Sequence, residues 1–436
     1  MEKMTINLPH SNEISLNNIK ACFSQPVSDM NDLNSIFFKN QNIFFPWLQE
    51  NYPQQALDFL KVYPSIQKMA LNIEKILPKE LPLLMKNDNF NKLDLTREQV
   101  ALLFLLSFFG FKMPKVSDKY NNFDISQIFF IEQHRNILFK FGRCFINYLI
   151  TIGTWLSEKD PILEEKVIYE RGFINRKNIN LNDLDLIELC PVKFYPEGSL
   201  FDGNSSYCVD FANSKIGGGV LIGGCVQEEI LFAVEPEAII GMLFLEEMDE
   251  CDGIGIFNTI LYSDYKGYRK NFEFLGNCVL NCPKSQIRRH RLIAIDASAK
   301  KDSTLNNVDN TTYQQIINRD IYKALAGFNL INRDWGFEKS LATGNWGCGV
   351  YGGIPELKFI EQWIAASFAR VERLDYYIFE DKKMKQNIIP WYEFIKNKFK
   401  TANMLYHSLL YNKDKFDMTK IVSCLVNNEF QQQQNK

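Results

Sequence analysis

A mixed α/β sheet behind a helical N-terminal layer is the fold class this chain predicts, and three observations lead there. From Gln54 to about residue 180, apolar residues recur at three- and four-residue steps, the helical period. After Asn178 the pattern changes to short β-forming runs at Leu184–Val192, Tyr207–Phe211, Ile254–Leu261, Phe272–Leu280, Arg291–Ala297 and Leu374–Phe379. Helical patterns at Pro236–Met248, Tyr313–Phe328 and Glu356–Arg370 fall between several of these runs. Strands interleaved with helices predict a sheet covered on both faces, with ligand loops gathered at strand ends.

The elements follow in order. Residues 1–50 are polar with apolar islands and aromatics such as Phe37, Phe38, Phe44, Phe45 and Trp47, which suits a loop-rich lead-in. From Gln54 the residues Leu57, Leu60, Val62, Ile66, Met69 and Ile73 mark a helix, which Pro64 is expected to interrupt. Thr96-Arg97-Glu98-Gln99 reads as a capping box opening a buried helix. That helix carries Val100–Phe111, the longest apolar run; its 12 residues fall short of the roughly 20 that span a membrane. Another helix is predicted over Ser126–Leu149. Pro236 suits a first helical turn, with Glu237 at the favourable end of the dipole. The chain from Trp391 is helical again and closes on Gln431–Gln434, a biased segment expected to be disordered.

Composition narrows the function. The 436 residues carry a net charge of −3, so no global basic field draws the chain to nucleic acid. Ten cysteines are scattered, and the four histidines lie far apart, so no zinc constellation assembles from neighbours. The cysteines read as reduced, buried small hydrophobes of an intracellular protein. The N-terminus lacks an apolar core or an Arg-rich amphipathic pattern, so no targeting peptide is expected.

One stretch carries chemistry. Val209–Ile230 opens as a strand around Asp210, breaks into Gly217-Gly218-Gly219 and Gly223-Gly224, and reaches Gln227-Glu228-Glu229. Successive glycine N–H groups can face one concavity and suit a phosphate or diphosphate. Two adjacent carboxylates among Val226, Ile230, Leu231 and Phe232 suit a general acid whose pKa burial raises. A second glycine-rich stretch, Thr343–Gly353, holds five glycines in ten residues and precedes a helical pattern, more glycine than one turn needs. Neither stretch fits G-x-G-x-x-G or a P-loop, which argues against a dinucleotide oxidoreductase or an NTPase.

Val209-Asp210-Phe211-Ala212-Asn213, the three glycines, the short spacer and Gln227-Glu228-Glu229 together resemble the signature of the poly(ADP-ribose) glycohydrolases. The segment Thr343-Gly344-Asn345-Trp346-Gly347-Cys348-Gly349 resembles the same family. The resemblance implies a macrodomain-like three-layer mixed β-sheet flanked by helices, with an all-helical N-terminal accessory layer. It implies a helical region over 1–184, packed on a catalytic domain over 185–400, then C-terminal helices and a Gln-rich tail over 401–436.

By the same resemblance, Glu229 is the catalytic acid and Glu228 the partner carboxylate that contacts ribose hydroxyls. Asn213 orients the ribose and Glu228. Gln227 belongs to the signature and is counted with the substrate-binding residues. Gly217, Gly218 and Gly219 form the diphosphate-binding backbone, together with the loop bearing Asn345 and Gly349. Tyr268 and Phe379 flank the adenine; with 14% Phe, Tyr and Trp in the chain, an aromatic is no signal by itself, so both rest on the resemblance. Tyr351 stands where animal members have Phe, adding a hydroxyl to a ribose-facing ring. Phe201 stands where they have an acidic residue near the adenine.

The activity implied is hydrolysis of the ribose–ribose O-glycosidic bond of poly(ADP-ribose) by glutamate acid–base catalysis, releasing ADP-ribose without metal or cofactor. Poly(ADP-ribose) and the proteins bearing it are the partners expected, with no direct nucleic-acid or membrane contact, in the cytoplasm or nucleus. The rival is a macrodomain that reads ADP-ribose without cleaving it. Paired acids argue against a reader, since they weaken anion binding.

Overall fold

The computed structural model describes residues 4–86, 91–177, 179, 187–201, 205–298, 309–333, 336–379, 381–382 and 384–411. The Gln431–Gln434 segment lies outside the described residues. The strands are β1 (Thr5–Asn7), β2 (Glu80–Pro82), β3 (Lys92–Thr96), β4 (Lys166–Phe173), β5 (Val192–Tyr195) and β6 (Tyr207–Ala212). They continue with β7 (Asp252–Ile260), β8 (Ser263–Lys266), β9 (Glu273–Asn277), β10 (Arg289–Asp296), β11 (Ser340–Gly344) and β12 (Arg373–Tyr377). Eight of them form one mixed sheet in the order β3-β4-β7-β10-β6-β11-β12-β5. β3 pairs antiparallel with β4, whereas β6, β11, β12 and β5 pair in parallel. The chain is therefore mixed α/β, as the change of period after Asn178 predicts.

By compactness the chain divides into two units. The first comprises Met1–Glu170, Ala212–Glu247 and Ile256–His290; the second comprises Arg171–Phe211, Met248–Gly255 and Arg291–Lys436. The Asn213–Glu229 stretch thus clusters with the N-terminal helices and with Ile256–His290, apart from β5, β11, β12 and the helices after residue 309.

In the first unit, the lead-in is not loop-rich. It folds as helices Glu13–Phe23, Met30–Phe38 and Phe44–Asn51. Its polar residues are caps: Asn12 accepts the N–H of Ile14 and Ser15, and Asp29 forms a capping box with Asp32. The helix Pro53–Leu71 runs through Pro64, held by the buried Phe59, Tyr63, Ile66 and Met69 across the missing N–H. The side-chain oxygens of Thr96 and Gln99 each accept the other's backbone N–H and open Arg97–Phe108 as the spacing predicts; every residue from Val100 to Phe108 is buried. The helix predicted at Ser126 starts later. Ile125–Phe129 is a 3-10 turn, and Arg135–Glu158 begins after His134, whose φ is +64°.

The N-terminal layer is also not wholly helical, because β1, β2, β3 and most of β4 belong to this unit. β4 escapes the strand pattern because its buried faces include the charged Glu170 and Arg171. Pro236–Leu243 closes as a 3-10 helix, where an α-helix to Met248 is expected from sequence. Beneath it the buried Glu237 meets Arg97, accepts the Tyr262 hydroxyl at 2.7 Å and the Ile260 N–H at 3.0 Å. Burial pushes the Glu237 carboxyl above the usual range, and the Arg97 guanidinium opposes it.

In the second unit, helices Asn310–Phe328 and Pro355–Phe368 pack together, and Ala402–Tyr411 packs on both. β5 lies at Val192–Tyr195, later than the expected Leu184–Val192, whose first three residues lie outside those described. β11, not expected from the sequence, is mostly small residues around Leu341, lacks strand-like alternation and is buried throughout. Four cations and four carboxylates are tied together inside this unit: Arg171, Lys323, Arg319 and Lys358 with Asp252, Asp296, Asp320 and Glu361. Equal numbers of each sign keep this buried network neutral, the condition for burying charge at tolerable cost. Among the described residues, no helix is long and apolar enough to cross a membrane.

Candidate active site

Both glutamates of the signature lie in the first unit, on the first turn of the helix Gln227–Val234. Glu228 is 2% exposed and Glu229 is 7% exposed, so neither carboxylate is a solvated surface group. Backbone donors hold both. Glu228 accepts the Asn213 N–H at 2.9 Å and the Gly217 N–H at 2.6 Å, one on each oxygen. Glu229 accepts the Gly219 N–H at 2.9 Å on Oε1. Its Oε2 accepts the Val226 N–H at 2.8 Å, reaching back to the helix start as a third-position Glu does. A carboxylate has about four acceptor directions, so two backbone donors do not exhaust those of Glu229.

These bonds change the reading of the glycine run. Its N–H groups were expected to face a diphosphate. Instead Gly217 and Gly219 donate to the two carboxylates, and the Gly218 N–H donates to the Lys215 carbonyl at 3.2 Å. Gly218 explains why glycine is needed. Its φ is +47°, and a Cβ there would lie 2.6 Å from both Glu228 Oε2 and Glu229 Oε1. The run is the cradle of the acid pair.

The far end of the helix Gln227–Val234 is anchored in the same unit. Glu235 meets His290 Nδ1 and accepts the Thr259 hydroxyl at 2.7 Å. Tyr268 also belongs here and is 48% exposed, with its hydroxyl pushed up by burial and, to a smaller degree, by the Glu229 carboxylate. The chain beside it is tied to the site, since the Arg269 N–H donates to the Cys225 carbonyl at 3.1 Å. Cys225, four residues before Glu229, has its thiol pushed up to about 12, chiefly by burial and further by Glu229. It should therefore stay unmodified by iodoacetamide at pH 8 in the folded protein, because the thiolate is the reactive form. Mass spectrometry of the alkylated native protein checks this, and rapid native-state labelling of Cys225 would contradict it.

The second unit holds the other predicted residues. Gln362, on the helix Pro355–Phe368, bonds the Thr343 hydroxyl and donates to the Gly344 carbonyl at 3.0 Å. Trp346 is fully buried and donates to the Ile295 carbonyl at 3.0 Å, fixing the start of the second glycine stretch. Asn345 donates to the Ile378 carbonyl and accepts the Tyr376 hydroxyl, both at 3.3 Å. Phe379 follows at φ +48° and is 47% exposed, its ring backed onto Gly344. Gly349 is exposed, and a Cβ there would meet nothing within 4 Å. Tyr351 is half-buried on the same loop, and Phe201 is buried. Within this unit the fold brings Asn345 and Phe379 together.

Asn121 is the residue that pattern reading misses. Lying 95 positions before Ile216, it donates to the carbonyls of Ile216 at 2.9 Å and Gly218 at 3.1 Å. An Asn-Asn pair in a polar segment reads only as a turn. Among the described residues, no group of three or more His, Cys, Asp or Glu is placed to hold a metal ion.

A mixed sheet with interleaved helices, joined to a helical N-terminal domain and carrying a cradled pair of glutamates, defines a macro domain protein with an acid site. Residues 179–386 match the family model described as poly(ADP-ribose) glycohydrolase, macro domain fold. Residues 51–171 match the helical domain of the same family. The chain belongs to the poly(ADP-ribose) glycohydrolase family.

Three relatives illustrate the likeness. Poly(ADP-ribose) glycohydrolase 1 of Arabidopsis thaliana is 31% identical over 262 residues, 44% of this chain and 46% of the relative. The probable poly(ADP-ribose) glycohydrolase 2 of the same plant is 29% identical over 326 residues, 65% and 62% respectively. Poly(ADP-ribose) glycohydrolase 1 of Caenorhabditis elegans is 34% identical over 238 residues, 52% and 30%. The chain thus spans about half to three-fifths of the length of the two plant relatives.

Proposed function

We propose that this chain is an enzyme that hydrolyses the ribose–ribose O-glycosidic bonds of poly(ADP-ribose) and releases ADP-ribose. The observation that carries the reading is the pair of adjacent, buried glutamates, each held by two backbone N–H groups. Family membership agrees with it. In the proposed reaction, Glu229 gives a proton to the leaving ribose oxygen as the anomeric C–O bond breaks and positive charge develops on the sugar. Water then adds to the anomeric carbon, and Glu229, now a carboxylate, takes the proton that water loses. Glu228, fixed by the Asn213 and Gly217 N–H groups, accepts hydrogen bonds from ribose hydroxyls. Buried, fixed carboxylates need no rearrangement during the reaction, which is where such sites gain over water.

Asn213 is exposed; its backbone N–H holds Glu228 and its Oδ1 accepts the Lys215 N–H at 3.0 Å, so its NH₂ group is the part we propose for the sugar. For Gln227, Asn345, Gly349 and Tyr351 we propose substrate contacts in keeping with the family signature. Proteins bearing the polymer are the proposed partners, in the cytoplasm or nucleus. For Tyr268 and Phe379 we propose stacking on adenine. Both rings are half exposed, so their truncation removes little packing. Tyr268→Ala and Phe379→Ala should each weaken ADP-ribose binding roughly ten- to a hundredfold, the equivalent of about 1–3 kcal/mol of stacking. Melting temperature should barely move. Calorimetry and thermal unfolding on the same variants check this, and a variant that binds normally but melts early belongs to the core.

The functional test is incubation of the protein with radiolabelled poly(ADP-ribose), followed by chromatography of the products. Free ADP-ribose accumulating with time is the expected result. Polymer that is bound but left intact would make the protein a reader.

A further inference from the structure

Resting on that reading of the glutamates, we propose that Asn121 is a positioning residue that sets the geometry of both acids from outside the signature. In a trans peptide the carbonyl of one residue and the N–H of the next lie in one plane and point in opposite directions. The carbonyl of Ile216 shares its plane with the Gly217 N–H, which donates to Glu228. The carbonyl of Gly218 shares its plane with the Gly219 N–H, which donates to Glu229. The Asn121 amide grips both carbonyls, at 2.9 and 3.1 Å. One side chain thereby orients the two peptide planes that hold the two carboxylates, from the side opposite the acids.

The amide orientation is fixed by its neighbours. Asn121 Oδ1 accepts the Asn122 N–H at 2.8 Å, so the NH₂ group must face the carbonyls, which can only accept. The segment carrying it is anchored too. The Glu247 N–H donates to the Lys119 carbonyl at 2.8 Å, and Lys119 pairs with the buried Glu246 at 3.1 Å. Glycines at 217 and 218 have positive φ and no side chain to hold them, so this loop needs an outside clamp to keep one conformation.

The test measures turnover of poly(ADP-ribose), KM, ADP-ribose affinity and melting temperature for wild type, Asn121→Ala, Asn121→Asp and Asn121→Ser. Asn121→Asp keeps the shape but presents an acceptor to two carbonyls, so it separates donation from packing. The expected result is a fall in kcat of roughly ten- to a hundredfold for Ala and Asp, the scale of a small misplacement of catalytic groups. KM and ADP-ribose affinity should stay within about twofold of wild type. Ser, which keeps one donor, should fall between. If Ala is too unstable to assay, Asp and Ser carry the comparison. Hydrogen exchange over residues 214–226 should also accelerate in each variant, with the rest of the first unit unchanged. Normal kcat in Asp, or a kcat loss matched by equal losses of affinity and melting temperature, would overturn the proposal. A wild-type protein without turnover would instead overturn the functional reading, so the two failures are distinct.

Discussion

Glu229→Gln is expected to lower the turnover of poly(ADP-ribose) by about 10²–10⁴-fold, the usual worth of acid–base catalysis. The substitution keeps size and leaves an oxygen to accept a backbone N–H, but an amide cannot give up and retake a proton. One bond also reverses in character. Glu229 accepts from Gly219 on one oxygen and from Val226 on the other, so the new NH₂ group faces a donor. The start of the helix Gln227–Val234 then loses one capping contact, at a cost of about 1 kcal/mol. ADP-ribose affinity should be kept, because the amide keeps the size of the carboxylate and the stacking proposed for Tyr268 and Phe379 is untouched. Steady-state rates on purified polymer, with calorimetry on the same protein, separate the two effects. Near-normal turnover would remove Glu229 from the chemistry.

Gly218→Ala should be nearly as damaging although it touches no reacting atom. Its added Cβ would lie 2.6 Å from an oxygen of each glutamate, far inside van der Waals contact. The backbone there sits at φ +47°, where an L side chain costs about 1–2 kcal/mol. Both carboxylates must move, and a displacement near 1 Å can cost about 10²-fold in rate. We expect turnover to fall by about 10²-fold or more while the protein still folds, with a melting temperature several degrees lower. Turnover within a few-fold of wild type would mean that the glycine cradle does not fix the acids.

Which parts of this site are legible in sequence follows from how local their causes are. The glycine run and the glutamate pair are ten residues apart and mark the site by type and spacing. The direction of the N–H groups is not in that spacing, because it depends on peptide planes set by Asn121, 95 residues away. So the spacing suits a phosphate nest, and only the fold shows that the Gly217 and Gly219 N–H groups hold carboxylates. The same holds for the fold. Thr96 and Gln99 show their helix because both halves of the cap are neighbours. Asn12 and Asp29 lack a strong apolar run behind them, so their helices read as loops. β4 and β11 depend on partners distant in sequence: one hides behind buried charges, the other behind small residues. The exposure of Tyr268 follows from its glycine-containing loop. That of Phe379 follows from a left-handed backbone at a strand end, which no pattern displays.

If the glycine cradle acts through Glu229, substitutions in the two share one effect, which a double-mutant cycle measures. Turnover of poly(ADP-ribose) is measured for wild type, Gly218→Ala, Glu229→Gln and the double variant. If the cradle works mainly by placing Glu229, removing that acid leaves it only Glu228 to place. The double variant should then turn over within a few-fold of Glu229→Gln alone. Losses that multiply, so that the double variant is slower by the full product of the two single effects, would contradict the account.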